Sequence, residues 1–222
     1  MRHLNITSVI ISLFTIGILT YCKKPNYNPY PYIGDRVNPG EEVIVDHGVI
    51  NNTVNMEGGD ATIVGNTVVN ADINVKSFQS ELLIADSVSL HKINMHGGLV
   101  RLVGSPIIRT DFNINQGKVI IGSDKSRPFD TVRVKNNLNL FDSLWVEAGV
   151  LVIEKDFNHN GFVSIADSAK ILVLHDMNKG GDLYGRNRVE VRGAYNDNQK
   201  GITTDAPYIA PNNVPGDNKI TD

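Results

Sequence analysis

An asparagine with an apolar residue before it returns at positions 55, 74, 94, 113, 139, 158 and 178, at spacings of 19, 20, 19, 26, 19 and 20 residues. Asparagine gains little from a strand on its own account, so its regular return points to a structural repeat. The residues before it are Val54, Ile73, Ile93, Phe112, Leu138, Phe157 and Met177, and those after it in the first five copies are Met56, Val75, Met95, Ile114 and Leu140. The one long gap contains the polar stretch from Ser123 to Phe129, and removing those seven residues restores a spacing of 19. Residues 123–129 are therefore expected to form an insertion loop thrown out of one repeat.

Alternation such as Ile73-Asn74-Val75 or Phe112-Asn113-Ile114 is the period of a strand, with the asparagine on the face opposite the apolar pair. Glycine-rich turns follow at Gly58-Gly59, Gly97-Gly98, Gly117, Gly161 and Gly180-Gly181, and further apolar segments such as Ile63-Val64, Leu102-Val103 and Ile120-Ile121 lie between the copies. The 20 glycines against 7% aromatic residues fit a chain of short strands and turns. Two or three short strands cannot bury their apolar side alone. Stacking the repeats does so, and places equivalent residues about 4.8 Å apart along one axis.

The expectation is an all-β, single-domain parallel β-helix (β-solenoid) of about 7–8 coils of 19–20 residues over residues 42–195. Right-handed coiling is expected, since the strict hexapeptide of left-handed acyltransferase helices is missing. The apolar residues before each asparagine would form one internal stack. Asn55, Asn74, Asn94, Asn113, Asn139, Asn158 and Asn178 would form a structural ladder that fixes the register of the coils. His159 and Lys179 stand where apolar residues stood in earlier copies, so the core is expected to taper there. Leu183 to Tyr195 would then close the end as an atypical last coil.

The N-terminus reads as an address. Arg2 and His3 precede an apolar run from Ile6 to Leu19, which ends at Thr20-Tyr21-Cys22. The run is short for a bilayer span and matches the apolar region of a signal peptide, here residues 1–21. Leu19-Thr20-Tyr21-Cys22 resembles the lipobox of bacterial lipoproteins. The resemblance implies acylation of Cys22, removal of residues 1–21 and, with Lys23 rather than Asp after the cysteine, sorting to the outer membrane or cell surface. Residues 22–41, with Pro25, Pro29, Pro31 and Pro39, are expected to form a tether. Residues 196–222 are expected to form an extended or disordered tail. The repeat region resembles the short-coil β-helices of bactofilin filament formers and lipoprotein-adhesin head domains, a likeness of periodicity and patterning that carries over no site residues.

Few residues suggest chemistry. Two positions before the asparagines stand Thr53, Asp72, Lys92, Asp111, Asn137, Asp156 and Asp176. The first charged three alternate in sign, as in a solvated ladder. Asp156 and Asp176 do not, so they form a Ca²⁺ candidate, with relief by Lys155 or Lys170 as the alternative. His175 is expected to stack on Lys155, and no three histidines converge on a zinc site. Asp124, Lys125, Arg127 and Asp130 cluster around the insertion and read as a solvated loop. One cysteine excludes a disulfide framework. A net charge of −3 with scattered basic residues argues against nucleic acid as a partner. No catalytic constellation and no cofactor motif stand out.

The expected function is an exported, lipid-anchored structural or adhesive surface module, non-catalytic, with the membrane, glycans and other surface proteins as partners. The alternatives are a carbohydrate-binding or polysaccharide-degrading β-helix protein, which needs paired acids in a groove, and a scaffold that polymerises end to end.

Overall fold

The alternating segments fold into strands in a computed structural model that describes residues 35–122, 130–198 and 200–208. The strands pair in parallel and wind into an all-β solenoid of about eight turns. Three ladders run along it, so each full coil has three faces.

The first face carries the asparagines. Val54, Ile73, Ile93, Phe112, Leu138, Phe157, Met177 and Tyr195 stand in one register column, with the asparagines beside them in another. The second face includes Glu42–Asp46, Asp60–Val64, Glu81–Ile84, Ser143–Val146, Phe162–Ile165 and Asp182–Tyr184. The third includes Val49–Ile50, Ile107–Ile108, Thr131–Val134, Gly149–Ile153, Ala169–Val173 and Val189–Val191. Three strands in Val68–Val75, Ser89–Leu102 and Phe112–Ile121 continue around a corner from one face to another. Among the described residues the one helical turn is the 3₁₀ segment Arg186–Arg188.

The ladders reach past 42 and 195. Arg36–Val37 pairs with Asn55 and Met56, and Thr203–Thr204 pairs with Leu183 and Tyr184. Between Ile121 on the second face and Thr131 on the third lie residues 123–129, outside the described residues. The rungs on either side hold their register, with Val119 opposite Leu144 and Val134 opposite Ile108.

Alternation does on each face what it does in any half-buried strand. Val54 and Met56, Phe112 and Ile114, and Leu138 and Leu140 point into a continuous core, and each intervening asparagine is half-buried on the outside. Each fully buried Leu, Ile or Phe contributes about 1.5–3 kcal/mol of transfer free energy. The core does not end where the apolar pattern does, because His159 and Lys179 lie inside at 0% and 1% exposure.

The corners demand tight backbone. At the turn leaving the second face, His47, Gly65, Asp86 and Gly104 in successive coils all have positive φ. A Cβ on Gly104 would lie 2.8 Å from the Asp86 backbone nitrogen, so a side chain there would collide with the coil before it. The other end of that face has the same restriction at Gly117, whose Cβ would stand 2.6 Å from the Gly98 carbonyl oxygen. These glycines let neighbouring corners stack at strand spacing.

Candidate functional site

The asparagine column is a chain of amide-to-amide hydrogen bonds. Asn74 Nδ2 donates to Asn55 Oδ1 at 3.0 Å, and the pattern repeats through Asn94, Asn113, Asn139, Asn158, Asn178 and Asn196 at 2.8–3.0 Å. At the first rung Asn55 Nδ2 donates to the Asp35 carbonyl at 3.1 Å. Spacing by one rung brings each amide within reach of the next, and half-burial limits competition from water.

The stripe two positions earlier has a role that its charge pattern does not reveal. Asp111 Oδ1 accepts the backbone N–H of Asn137 at 3.1 Å, and Asn137 Oδ1 accepts that of Asp156 at 3.2 Å. Asp156 Oδ1 in turn accepts the N–H of Asp176 at 3.3 Å, and Asp176 Oδ1 that of Ala194 at 2.8 Å. A short side-chain oxygen thus satisfies a backbone donor at the corner of the following coil. In the earlier coils the stripe is built differently. Asp72 is in register with Lys92, accepts from Asn94 Nδ2 at 3.4 Å and faces His91 Nε2 at 3.8 Å.

Asp156 and Asp176 stand on adjacent rungs of this corner, and His175 joins them. Its Nδ1 lies 2.5 Å from Asp156 Oδ1 and 3.8 Å from Asp176 Oδ2. The hydrogen bond that the imidazole donates to Asp156 raises it above its ordinary pKa, with the charges of Asp176 and Asp156 adding to it. The same hydrogen bond is the main cause holding the Asp156 carboxyl below its usual range. The His175 ring thus reaches Asp156, and the charge of Lys155 acts on both groups. Lys170, offered from sequence as relief for the two aspartates, pairs instead with Glu190 at 2.5 Å. An imidazole between the carboxylates makes the place less suited to Ca²⁺, which takes oxygen ligands. Among the described residues this is the one group of three His, Cys, Asp or Glu side chains whose ligand atoms lie within 4.8 Å of one another.

His159 and Lys179 form a second polar pair, inside the core. The Lys179 Nζ donates to the Lys200 carbonyl at 2.7 Å and stands 3.4 Å from Asp197 Oδ1. Neither ring nitrogen of His159 makes a hydrogen bond of normal geometry, and the Asp182 backbone offsets only part of the cost of burying the ring. Burial, reinforced by the Lys179 charge, lowers its pKa to about 4.

A third feature was not singled out in the sequence. On the outside of the second face Trp145, Phe162 and Tyr184 follow one another with ring centroids 5.1 and 5.4 Å apart. Tyr208 comes back over them, edge-on to all three at 5.1–5.6 Å. Lys118 Nζ lies 4.6 Å over the Trp145 ring, and partial burial is the main cause lowering its pKa. The signal was the chain's one tryptophan at an outward position of the strand Ser143–Val146. The other rings come from three further segments, and only the register of the coils aligns them.

The remaining sequence candidates divide. Cys22, the apolar run before it and most of the tether lie outside the described residues, as do Asp124, Lys125 and Arg127. Asp130 is described, and its Oδ2 accepts the Gly104 N–H at 2.8 Å, a structural corner bond. No family model, no curated protein and no solved structure matches this chain.

Proposed function

We propose that this chain is an exported, lipid-anchored surface module that acts as a stiff structural or adhesive element rather than as a catalyst. The observation that carries this reading is the continuity of the three ladders. From Arg36 to Thr204 each described coil is in register with the next. Eight successive rung steps on the first face make a rod of roughly 38 Å. The outer faces carry charge pairs between coils, such as Arg101 with Glu81 and Arg133 with Glu154. The corner carboxylates cap backbone amides. These polar groups hold the rod together, which suits a spacer or a contact surface. The anchor rests on the Leu19-Thr20-Tyr21-Cys22 motif. Two acyl signals or more are needed for stable attachment, and a lipoprotein cysteine supplies them.

The test is Cys22→Ala with membrane fractionation. Release of the protein into the soluble fraction is expected, and unchanged fractionation overturns the anchored reading.

A second reading, contact with glycans, is favoured by the Trp145, Phe162, Tyr184 and Tyr208 rings, because aromatic faces beside a cation offer stacking surface. A glycan array with the parent protein and Trp145→Ala separates the two. A signal that disappears in the variant moves the function from spacer to glycan binder.

A further inference from the structure

We propose that Asp156, His175 and Asp176 form a binding site for a first-row divalent transition-metal ion, with Zn²⁺ the ion that fits the donor set. The proposal stands apart from the surface-module reading and does not depend on the lipid anchor.

The donors are mixed, one imidazole and two carboxylates, and their ligand atoms lie within 4.8 Å of one another. They come from two adjacent rungs, so the spacing of the coils sets their separation. Both carboxylates are held by backbone. Asp156 Oδ1 accepts the Asp176 N–H and Asp176 Oδ1 accepts the Ala194 N–H, which turns Asp176 Oδ2 toward His175 Nδ1 at 3.8 Å. The next coil leaves room for this arrangement. A Cβ on Gly193 would stand 2.4 Å from Asp176 Oδ1 and 2.6 Å from the His175 carbonyl oxygen, so any other residue at 193 would push the carboxylate aside.

The molecule contains its own control. At the corner formed by Asp72, His91 and Lys92, the same three column positions hold an aspartate, a histidine and a lysine, and His91 Nε2 faces Asp72 Oδ1 at 3.8 Å. There a cation is part of the chain. In the later coil Asp176 takes the place of Lys92 and the positive charge is missing from that position. The charge of Lys155 acts on both Asp156 and His175. It offsets one of the two carboxylates and leaves the other for a bound cation.

The ligand types select the ion. An imidazole with two carboxylates suits Zn²⁺ and its first-row neighbours, whereas Ca²⁺ and Mg²⁺ take oxygen ligands. Three protein donors leave positions for water. The side chains are 60%, 36% and 35% exposed, so an ion can enter from solvent without any opening of the coil.

The experiment is a calorimetric titration of the untagged full chain, stripped with a chelator, with Zn²⁺ and separately with Ca²⁺. One equivalent of Zn²⁺ is expected to bind and Ca²⁺ is not. His175→Ala should weaken Zn²⁺ by about tenfold or more. Asp176→Asn keeps an oxygen for the Ala194 N–H, so it should weaken Zn²⁺ similarly while leaving the melting temperature unchanged. His91→Ala should bind as the parent does. No Zn²⁺ binding to the parent overturns the proposal, as does binding that survives His175→Ala, or binding lost with His91→Ala.

Discussion

From Met56 to Leu140 the column just after the asparagines is filled by Met, Val, Met, Ile and Leu, all fully buried; from Phe157 onward the same column holds His159 and Lys179, also buried. The backbone ladder and the asparagine bonds pass across this boundary unchanged. What changes is how the coils are held. In the first half this column is apolar, and each rung gains by covering its neighbours. In the second, Lys179 Nζ reaches the carbonyl of Lys200 and the carboxylate of Asp197, which belong to the closing coil. Its aliphatic stem continues the core and its ammonium ties the core to the end of the rod. His159 has no such outlet, and a buried imidazole without a hydrogen bond of normal geometry weakens the rung it occupies. In a solenoid, where each coil touches mainly its neighbours, one chain can thus have a firm region and a soft one.

The largest test of that contrast is Phe112→Ala in the apolar half, which should lower stability by about 3–5 kcal/mol in denaturant unfolding. A loss under 1 kcal/mol would mean that the apolar half is not the firm one.

Next in size is the effect of acid on the soft half. The unfolded imidazole takes up its proton near pH 6.5, and the buried His159 does so only near 4. The unfolded chain therefore binds more protons between these values, and stability falls as pH drops from 6.5 toward 4. The span corresponds to about 3 kcal/mol. His159→Leu should flatten this part of the pH profile and raise stability at neutral pH by about 1–3 kcal/mol, by removing two poorly bonded nitrogens from the core. An unchanged profile in the variant would assign the acid sensitivity elsewhere.

Smaller again is the asparagine column. Asn113→Ala strands the bonding atoms of both Asn94 and Asn139 and should cost about 2 kcal/mol, whereas Asn196→Ala at the exposed end breaks one bond and should cost about 1 kcal/mol or less. Equal losses in thermal melts would show that the column is uniform from middle to end. The smallest effect is expected for Arg101→Ala, whose exposed partner is Glu81, at under about 1 kcal/mol and decreasing with salt.

The solenoid was legible because asparagine is a poor strand residue whose return needs a cause, and because alternation around it reports an inside and an outside. The third face was harder to read. In its early coils it is as short as Val49–Ile50 and Ile107–Ile108, and two apolar residues have no period. The corner bonds of Asp111, Asn137, Asp156 and Asp176 were not legible at all. Each joins a side chain to a backbone amide one coil later, and a stripe of charge in sequence looks the same whether it faces water or caps a turn. For the same reason the position of His175, one coil on from Lys155, does not show in sequence that its ring reaches the neighbouring carboxylate of Asp156. Lys179 looks in sequence like a taper of the core, because a lysine does not show which carbonyls stand within reach of its tip.

Every amide in the asparagine column donates toward the N-terminal end of the rod, and each from Asn55 to Asn178 accepts from the C-terminal side. Their dipoles therefore add head to tail, and neighbours polarise one another. The rod has an electrical direction along one edge, fixed by side chains rather than by the backbone, and its two ends are not equivalent to an approaching charge.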